Sequence, residues 1–287
     1  MKIIECSPFF NENLIADVHI HESSKWVDEI HITESNRTLQ FALKSYDFSN
    51  QNNDRVYHHR LDVNQIFLKP RKYIPYFKYS HKPAWHPKLF RNTSWYNEGM
   101  QRKNFYPDFE DDDILIFSDI DEIINFHYAD KIIDEVQKRG IITVKLYFTV
   151  FYFNLFSMNW GGPPDYSYRV FAAKGKVFRK IWNCDYDTLR KMGERSRLLD
   201  TVYCLPEIAG FHHSWIGDEQ YISQKLKAYT HTEHRIYDDR NYISQCLKEG
   251  KSIFPGHNLE VRNDIKLLNT IEENKPLYAK YFFRRNY

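Results

Sequence analysis

The chain has 287 residues, 42% of them hydrophobic, enough for a sizeable core in one large domain or two small ones. Its 40 Lys and Arg nearly cancel its 38 Asp and Glu, and a net charge of +2 gives no general attraction to nucleic acid or anionic lipid, so any phosphate site must be local. No stretch approaches the roughly 20 apolar residues that span a bilayer, and Met1 to Pro8 is too short and acid-interrupted for a signal peptide, so a soluble, cytoplasmic protein with no membrane span is expected. Cys6, Cys184, Cys204 and Cys246 show no C-x-x-C spacing, which predicts reduced thiols rather than a zinc ribbon or a disulfide framework.

Ile3 and Ile4 open a short strand that ends at Ser7-Pro8. Leu14, Ile15 and Val18 then recur at helical spacing between Asn13 and Ser23. Glu29 to Glu34 alternates with period two and stops at the turn pair Ser35-Asn36. The order β-α-β predicts a parallel sheet whose ligands lie at the strand ends. Tyr46 to Tyr96 shows no clean periodicity apart from a candidate short strand at Val63 to Leu68, and Asn97 to Tyr106 reads as a polar helix. After the acidic turn Asp108 to Asp113, Ile114-Leu-Ile-Phe117 is the continuous apolar run of a central parallel strand. Asp130 to Arg139 reads as a helix closed by Gly140, and the β-branched and aromatic run Ile141 to Phe153 as one or two strands. Gly161 to Pro164 reads as a loop, Ser167 to Ala172 with Lys176 to Ile181 as a hairpin, and Ile208 to Ser214 as a strand edge. Glu219 to His231 reads as a helix with Ile222, Leu226 and Tyr229 on one face. With no repeat or linker, the expectation is a single α/β domain with a mostly parallel central sheet flanked by helices. Most of the 21 Tyr, 21 Phe and 6 Trp belong in its core, and some can stack on the apolar face of a sugar.

The residues with the most chemical content are Asp119 and Asp121, in the turn after that apolar strand. A leaving diphosphate is stabilised by a divalent cation bridging its phosphates, and carboxylates must hold the cation. Two aspartates one residue apart can offer one direct ligand and one through water or ribose while leaving positions open. The same residues also suit a solvated acidic turn with capping aspartates. Haloacid-dehalogenase-like phosphatases place a similar D-x-D-x-[TV] after a strand, the first Asp being the nucleophile. Here the fifth position is Ile123, and Asp238-Asp239 follows Arg235-Ile-Tyr237 rather than an apolar strand, which disfavours that class.

Five separated motifs then resemble glycosyltransferase family 17, which holds the β-1,4-mannosyl-glycoprotein 4-β-N-acetylglucosaminyltransferases. They are Pro8-Phe-Phe-Asn-Glu12, His31-Ile-Thr-Glu-Ser-Asn36, Gln101-Arg102 ahead of Asp112-Asp-Ile-Leu-Ile-Phe-Ser-Asp-Ile-Asp-Glu-Ile123, Phe153-Asn-Leu155 and Gly210-Phe-His-His-Ser-Trp215. The resemblance runs from Pro8 to about His234. It implies a GT-A (Rossmann-like) fold over residues 1–287, with residues 1–125 binding the nucleotide-sugar and 126–287 the acceptor. It also implies a UDP-sugar donor, Mn²⁺ or Mg²⁺, a glycan acceptor and inversion at the anomeric carbon.

Carried onto this chain, the resemblance makes Asp119 and Asp121 the metal pair and Glu122 the acid that follows it. His212 completes the metal shell, although a lone histidine near an apolar strand also suits a hydrogen-bonded core role. Glu34 and Asn36 stand where uracil or ribose contacts are placed. Lys225 and His231 match a Lys and a His that can neutralise the diphosphate, with a solvated helix face as the alternative. His213 stands where the family has an aromatic. Asp218, Glu219 and Asp165 are, in that order, the candidates for the base that deprotonates the acceptor, and the Gly161 to Pro164 loop can close over the donor with Trp160 or Trp215 on the acceptor sugar. Two features depart from the family. Arg37-Thr-Leu-Gln-Phe41 replaces a Gly-Lys-Pro-Lys type segment, and the membrane anchor of the animal enzymes is missing, which points to a microbial or viral glycan. A transferase of galactose or glucose onto a surface polysaccharide, and a non-catalytic sugar-nucleotide-binding module, are the competing readings.

Overall fold

The computed structural model describes residues 1–50, 53–63, 98–99, 101–102, 107–159, 166–182 and 202–284. Strand β1 (Ile3–Phe9), helix α1 (Asn13–Ser23) and strand β2 (Glu29–Ser35) form the expected β-α-β unit. The two strands run parallel, with Ile4 beside Glu29 and Phe9 beside Glu34. Both are buried almost throughout, because α1 packs Ile15, Ala16, Val18 and Ile20 into the interior. Strand β3 (Val56–Leu61) extends the parallel row beside β2. It falls in the stretch without periodicity, since its Val-Tyr-His-His-Arg-Leu sequence sits half exposed, where no alternation is demanded.

Strand β4 (Ile114–Phe117) is buried at all four positions and pairs with the other side of β1, also parallel. The later strands are β5 (Glu122–Ile124), β6 (Ile141–Val150), β7 (Leu155–Ser157), β8 (Tyr166–Lys174), β9 (Tyr203–Ser214) and β10 (Leu259–Val261). Among the described residues all ten strands make one sheet, in which β8 joins β4 to β6 through antiparallel ladders. The long β6–β9 ladder is parallel again. The molecule is thus a mixed α/β protein with a mostly parallel central sheet flanked by helices, as expected. Helix α2 (Ala129–Arg139) ends at Gly140, whose φ of 84° is unstrained only for glycine.

Three expectations are corrected. Lys176 to Ile181 is no hairpin arm but part of helix α3 (Gly175–Trp182). Phe178 is buried against Phe117 with ring centroids 4.6 Å apart, while Lys176, Arg179 and Lys180 are exposed, a one-sided pattern that a helix satisfies. The strand expected at Ile208 begins earlier, at Tyr203, and has neighbours on both sides, β6 and β5. Helix α4 (Glu219–Ala228) stops before His231, because Tyr229 turns extended and sets its ring edge-on to Trp215 at 5.0 Å. Asn64 to Leu68 lies outside the described residues, and of the helix expected over Asn97 to Tyr106, Glu98, Gly99, Gln101 and Arg102 are helical. Cys6, Cys204 and Cys246 are free thiols. No described helix is long and apolar enough to cross a membrane.

Gly210 joins β9 to β5 at close quarters. A Cβ there would meet the Ile123 carbonyl oxygen at 2.1 Å and the Ile124 Cα at 2.9 Å, both backbone atoms with little room to yield. Gly210→Ala is expected to lower stability by at least about 1–3 kcal/mol, read as an earlier urea midpoint. An unchanged midpoint would contradict this strand pairing.

Candidate functional site

Strands β1, β2 and β4 end on one side of the sheet at Phe9, Ser35 and Phe117, so the segments that follow them share the ligand-binding edge of a parallel sheet. After β4 the chain turns through Ser118, Asp119, Ile120 and Asp121 into β5. A buried polar network holds this turn from beneath. His19 Nδ1–H donates to the Ile120 carbonyl at 2.9 Å, and His19 Nε2 lies 3.0 Å from Glu5 Oε1, with both side chains at 0% exposure. The Ser118 hydroxyl donates to Glu5 at 3.1 Å and lies 2.9 Å from the Ser7 hydroxyl. Burial opposes charge on both partners. The charge and hydrogen bond of His19 nevertheless bring the Glu5 carboxyl below its ordinary value, and Glu5 raises His19, which describes an ion pair. From above, the Asp119 N–H donates to Glu122 at 2.9 Å and the His213 N–H to the Asp121 carbonyl at 2.7 Å.

The turn opens into a cavity of about 400 Å³ whose lining includes Asp119, Asp121, His212, Trp215, Lys225 and His231. Asp121 is buried, with Oδ1 at 3.4 Å from His212 Nε2 and Oδ2 at 3.7 Å from Lys225 Nζ. Burial alone would raise its carboxyl, but the charges of His212 and Lys225 hold it well below the carboxylate range. Lys225 also reaches Glu12 at 3.1 Å, and against the effect of burial Tyr221, Glu12 and Asp121 keep it firmly protonated. Phe148 fixes the plane of His212 by parallel stacking at 4.4 Å, and Lys225 lies 5.3 Å from the face of Trp215. Asp119 meets Arg102 in a fork, Oδ1 at 3.2 Å from Nε and Oδ2 at 2.9 Å from Nη2.

A larger cavity, about 730 Å³, lies near β10 and the C-terminal residues. Of its charged lining groups, Lys275 pairs with Glu272 at 2.5 Å and Arg262 with Asp264, outside the lining, at 3.1 Å, and it contains none of the candidate site residues.

The structure therefore gathers Asp119, Asp121, His212, Lys225, His231 and Trp215, and it separates the rest. Glu34 is fully buried and accepts from Lys44 at 2.5 Å and from the N–H groups of Asp47 and Phe48 at 2.7 and 3.2 Å; His58 Nε2 lies 3.0 Å from it. It clasps the chain after β2 to β3. Asn36 ties the same turn to Asp62 and Val63. Neither is among the described residues lining the cavity, nor are Asp218 and Glu219. Asp218 caps α4, accepting from the Tyr221 N–H at 2.8 Å, and Glu219 stands in the first turn. Asp165, Trp160 and the Gly161 to Pro164 loop lie outside the described residues. His213 behaves as the aromatic it replaces: burial above all, then His212, brings its imidazole down to about 3, and it stacks on Phe211 at 5.0 Å.

Sequence reasoning missed Glu12, Arg102 and Phe148 as parts of the site. Glu12 carried a readable signal, since it follows the end of β1 on the same edge as the aspartate turn.

A divalent cation fits part of this donor set. The hard Asp121 carboxylate suits Mn²⁺ or Mg²⁺ and the His212 imidazole favours Mn²⁺ of the two; His212 faces Asp121 through Nε2 at 3.4 Å, the nitrogen a shared ion would take from the neutral ring. Asp119 already engages Arg102 with both oxygens, which makes Asp121 and His212 the primary ligands the residues can offer.

No protein-family model and no curated protein matches the chain. Among solved structures, it is similar to Helicobacter pylori mannose-6-phosphate isomerase at 12% identity and TM-score 0.32, over 71% of this chain and 85% of that one. It is also similar to Staphylococcus aureus TarS residues 1–349 at 12% identity and TM-score 0.34, over 84% and 72%. TarS as a longer chain gives 11% and 0.34, over 83% and 42%. These likenesses are too low to carry an argument about function, and the resemblance to glycosyltransferase family 17 rests on its motifs alone.

Proposed function

We propose that the chain is a metal-dependent, inverting glycosyltransferase of GT-A type that transfers a sugar, N-acetylglucosamine first among the candidates, from a UDP-sugar to a glycan hydroxyl. One observation carries this reading: a buried, ionised Asp121 flanked by His212 and Lys225 at the end of a parallel sheet, open to a cavity. Mn²⁺ or Mg²⁺ held by Asp121 and His212 would supply Lewis-acid stabilisation of the leaving diphosphate. Lys225 and Arg102 line the same cavity and are suited to hydrogen-bond its oxygens. Trp215 lines the same cavity with Lys225 over its ring, and in this reading it bounds the acceptor side. For the base that inversion requires, the proposed carboxylates are Asp218, Glu219 and Asp165; Asp218 caps α4 and neither it nor Glu219 lines the cavity, so either would have to reach the acceptor from outside it.

Slow hydrolysis of UDP-N-acetylglucosamine, UDP-galactose and UDP-glucose tests the reading without knowledge of the acceptor. Release of UDP from one donor well above the others is expected. Binding of UDP with release from none would leave a non-catalytic module.

A second reading is favoured by one observation, that cations already flank both aspartates: Arg102 at Asp119 and Lys225 at Asp121. In it, these side chains rather than a metal neutralise the diphosphate, and donor binding is metal-independent.

A further inference from the structure

Beyond the end of α4, a second group of ligating side chains stands at the rim of the same cavity. A 3₁₀ turn (Thr232–Tyr237) begins after His231. Residues three apart eclipse in such a turn, and the rings of His231 and His234 accordingly stack at 5.2 Å and 11°. Glu233 Oε1 lies 3.0 Å from His231 Nδ1. His231, Glu233 and His234 each offer one donor atom, and these atoms lie within 4.8 Å of one another. The cluster is also supported from behind. The Tyr229 hydroxyl contacts His234 Nδ1, and Phe254 packs on the His234 ring at 4.7 Å, so the ring is oriented before any ion arrives.

We propose that His231, Glu233 and His234 form a metal site, separate from the aspartate pair, that takes Zn²⁺. Two imidazoles and one carboxylate are a ligand set for zinc and its late transition-metal neighbours, whereas Mg²⁺ prefers an all-oxygen shell. The donors need to close by a small movement, because zinc ligands sit about 2.0–2.2 Å from the ion. Three protein ligands leave a position open to water. Since His231 also lines the cavity of Asp121, zinc bound here holds part of the cavity rim. The proposal does not depend on the transferase reading.

Calorimetric titration of the chelator-treated full chain with Zn²⁺ tests it, with Co²⁺ as a spectroscopic probe of the ligand field. To keep the two sites apart, the titration is run in the Asp121→Asn background. One Zn²⁺ per chain is expected there, undisturbed by excess Mg²⁺. His234→Ala and Glu233→Gln are each expected to weaken it at least about tenfold. Glu233 is a surface side chain, 39% exposed, so its amide variant keeps the test valid if His234→Ala fails to fold. Absence of zinc binding in the Asp121→Asn chain, or full affinity in a folded Glu233→Gln chain, would overturn the proposal.

Discussion

Replacing Glu5 with alanine is expected to lower folding stability by about 3 kcal/mol, because it leaves the partner of a fully buried ion pair without its counter-charge. His19 would have to become neutral or remain charged in an apolar setting, and the Ser118 hydroxyl would lose one of its two partners. The pH dependence has a defined sign. A lowered Glu5 contributes stability that is present above its unfolded value and lost as pH falls through its folded one. A raised His19 contributes stability that is present below its unfolded value and lost as pH rises through its folded one. The pair therefore stabilises most in the window between those two losses, and Glu5→Ala should flatten that part of the stability profile. A second variant separates stability from positioning. Glu5→Leu with His19→Leu restores packing without charge, so its urea midpoint is expected above that of Glu5→Ala, but the Ile120 carbonyl loses its donor and UDP affinity should stay weak. An unchanged midpoint in Glu5→Ala would contradict the stabilising role of the pair. Wild-type UDP affinity in the double variant would contradict its hold on the turn.

Asp121→Asn is the second change with a large expected effect. The amide keeps the size of the side chain but removes the one charge that faces both His212 and Lys225. If that charge anchors the metal, metal-dependent UDP affinity should fall about 100-fold or more, since even outer-shell changes at metal sites cost about 10–100-fold. Lys225 keeps Glu12 as a partner, so the fold should survive. Binding of UDP to Asp121→Asn at wild-type strength, with and without Mn²⁺, would remove Asp121 from the site.

What could be read in advance followed physical strength of signal. Ile114 to Phe117 is apolar at every position because helices and neighbouring strands bury both of its faces, and that run located the aspartate turn. The β-α-β unit was equally plain, since Ile15 and Val18 face a core that α1 must cover. Lys176 to Ile181 misled because Val, Phe and Ile favour strands locally, while burial of Phe178 on one side decided for helix. Glu34 shows the limit at the site. Its place at the end of β2 matched a nucleotide contact, yet contacts from Lys44, Asp47, Phe48 and His58 surround it, and only long-range packing reveals them. Arg102 was legible as a motif residue, but its fork onto Asp119 joins positions 17 residues apart and needed the fold.

Calorimetric titration of the wild-type chain with UDP, in buffer with Mn²⁺ and in buffer with chelator, tests the central claim most directly. The account predicts binding that strengthens at least about tenfold with Mn²⁺. Equal affinity in the two buffers would contradict it and leave side chains such as Arg102 and Lys225 as the diphosphate's counter-charges.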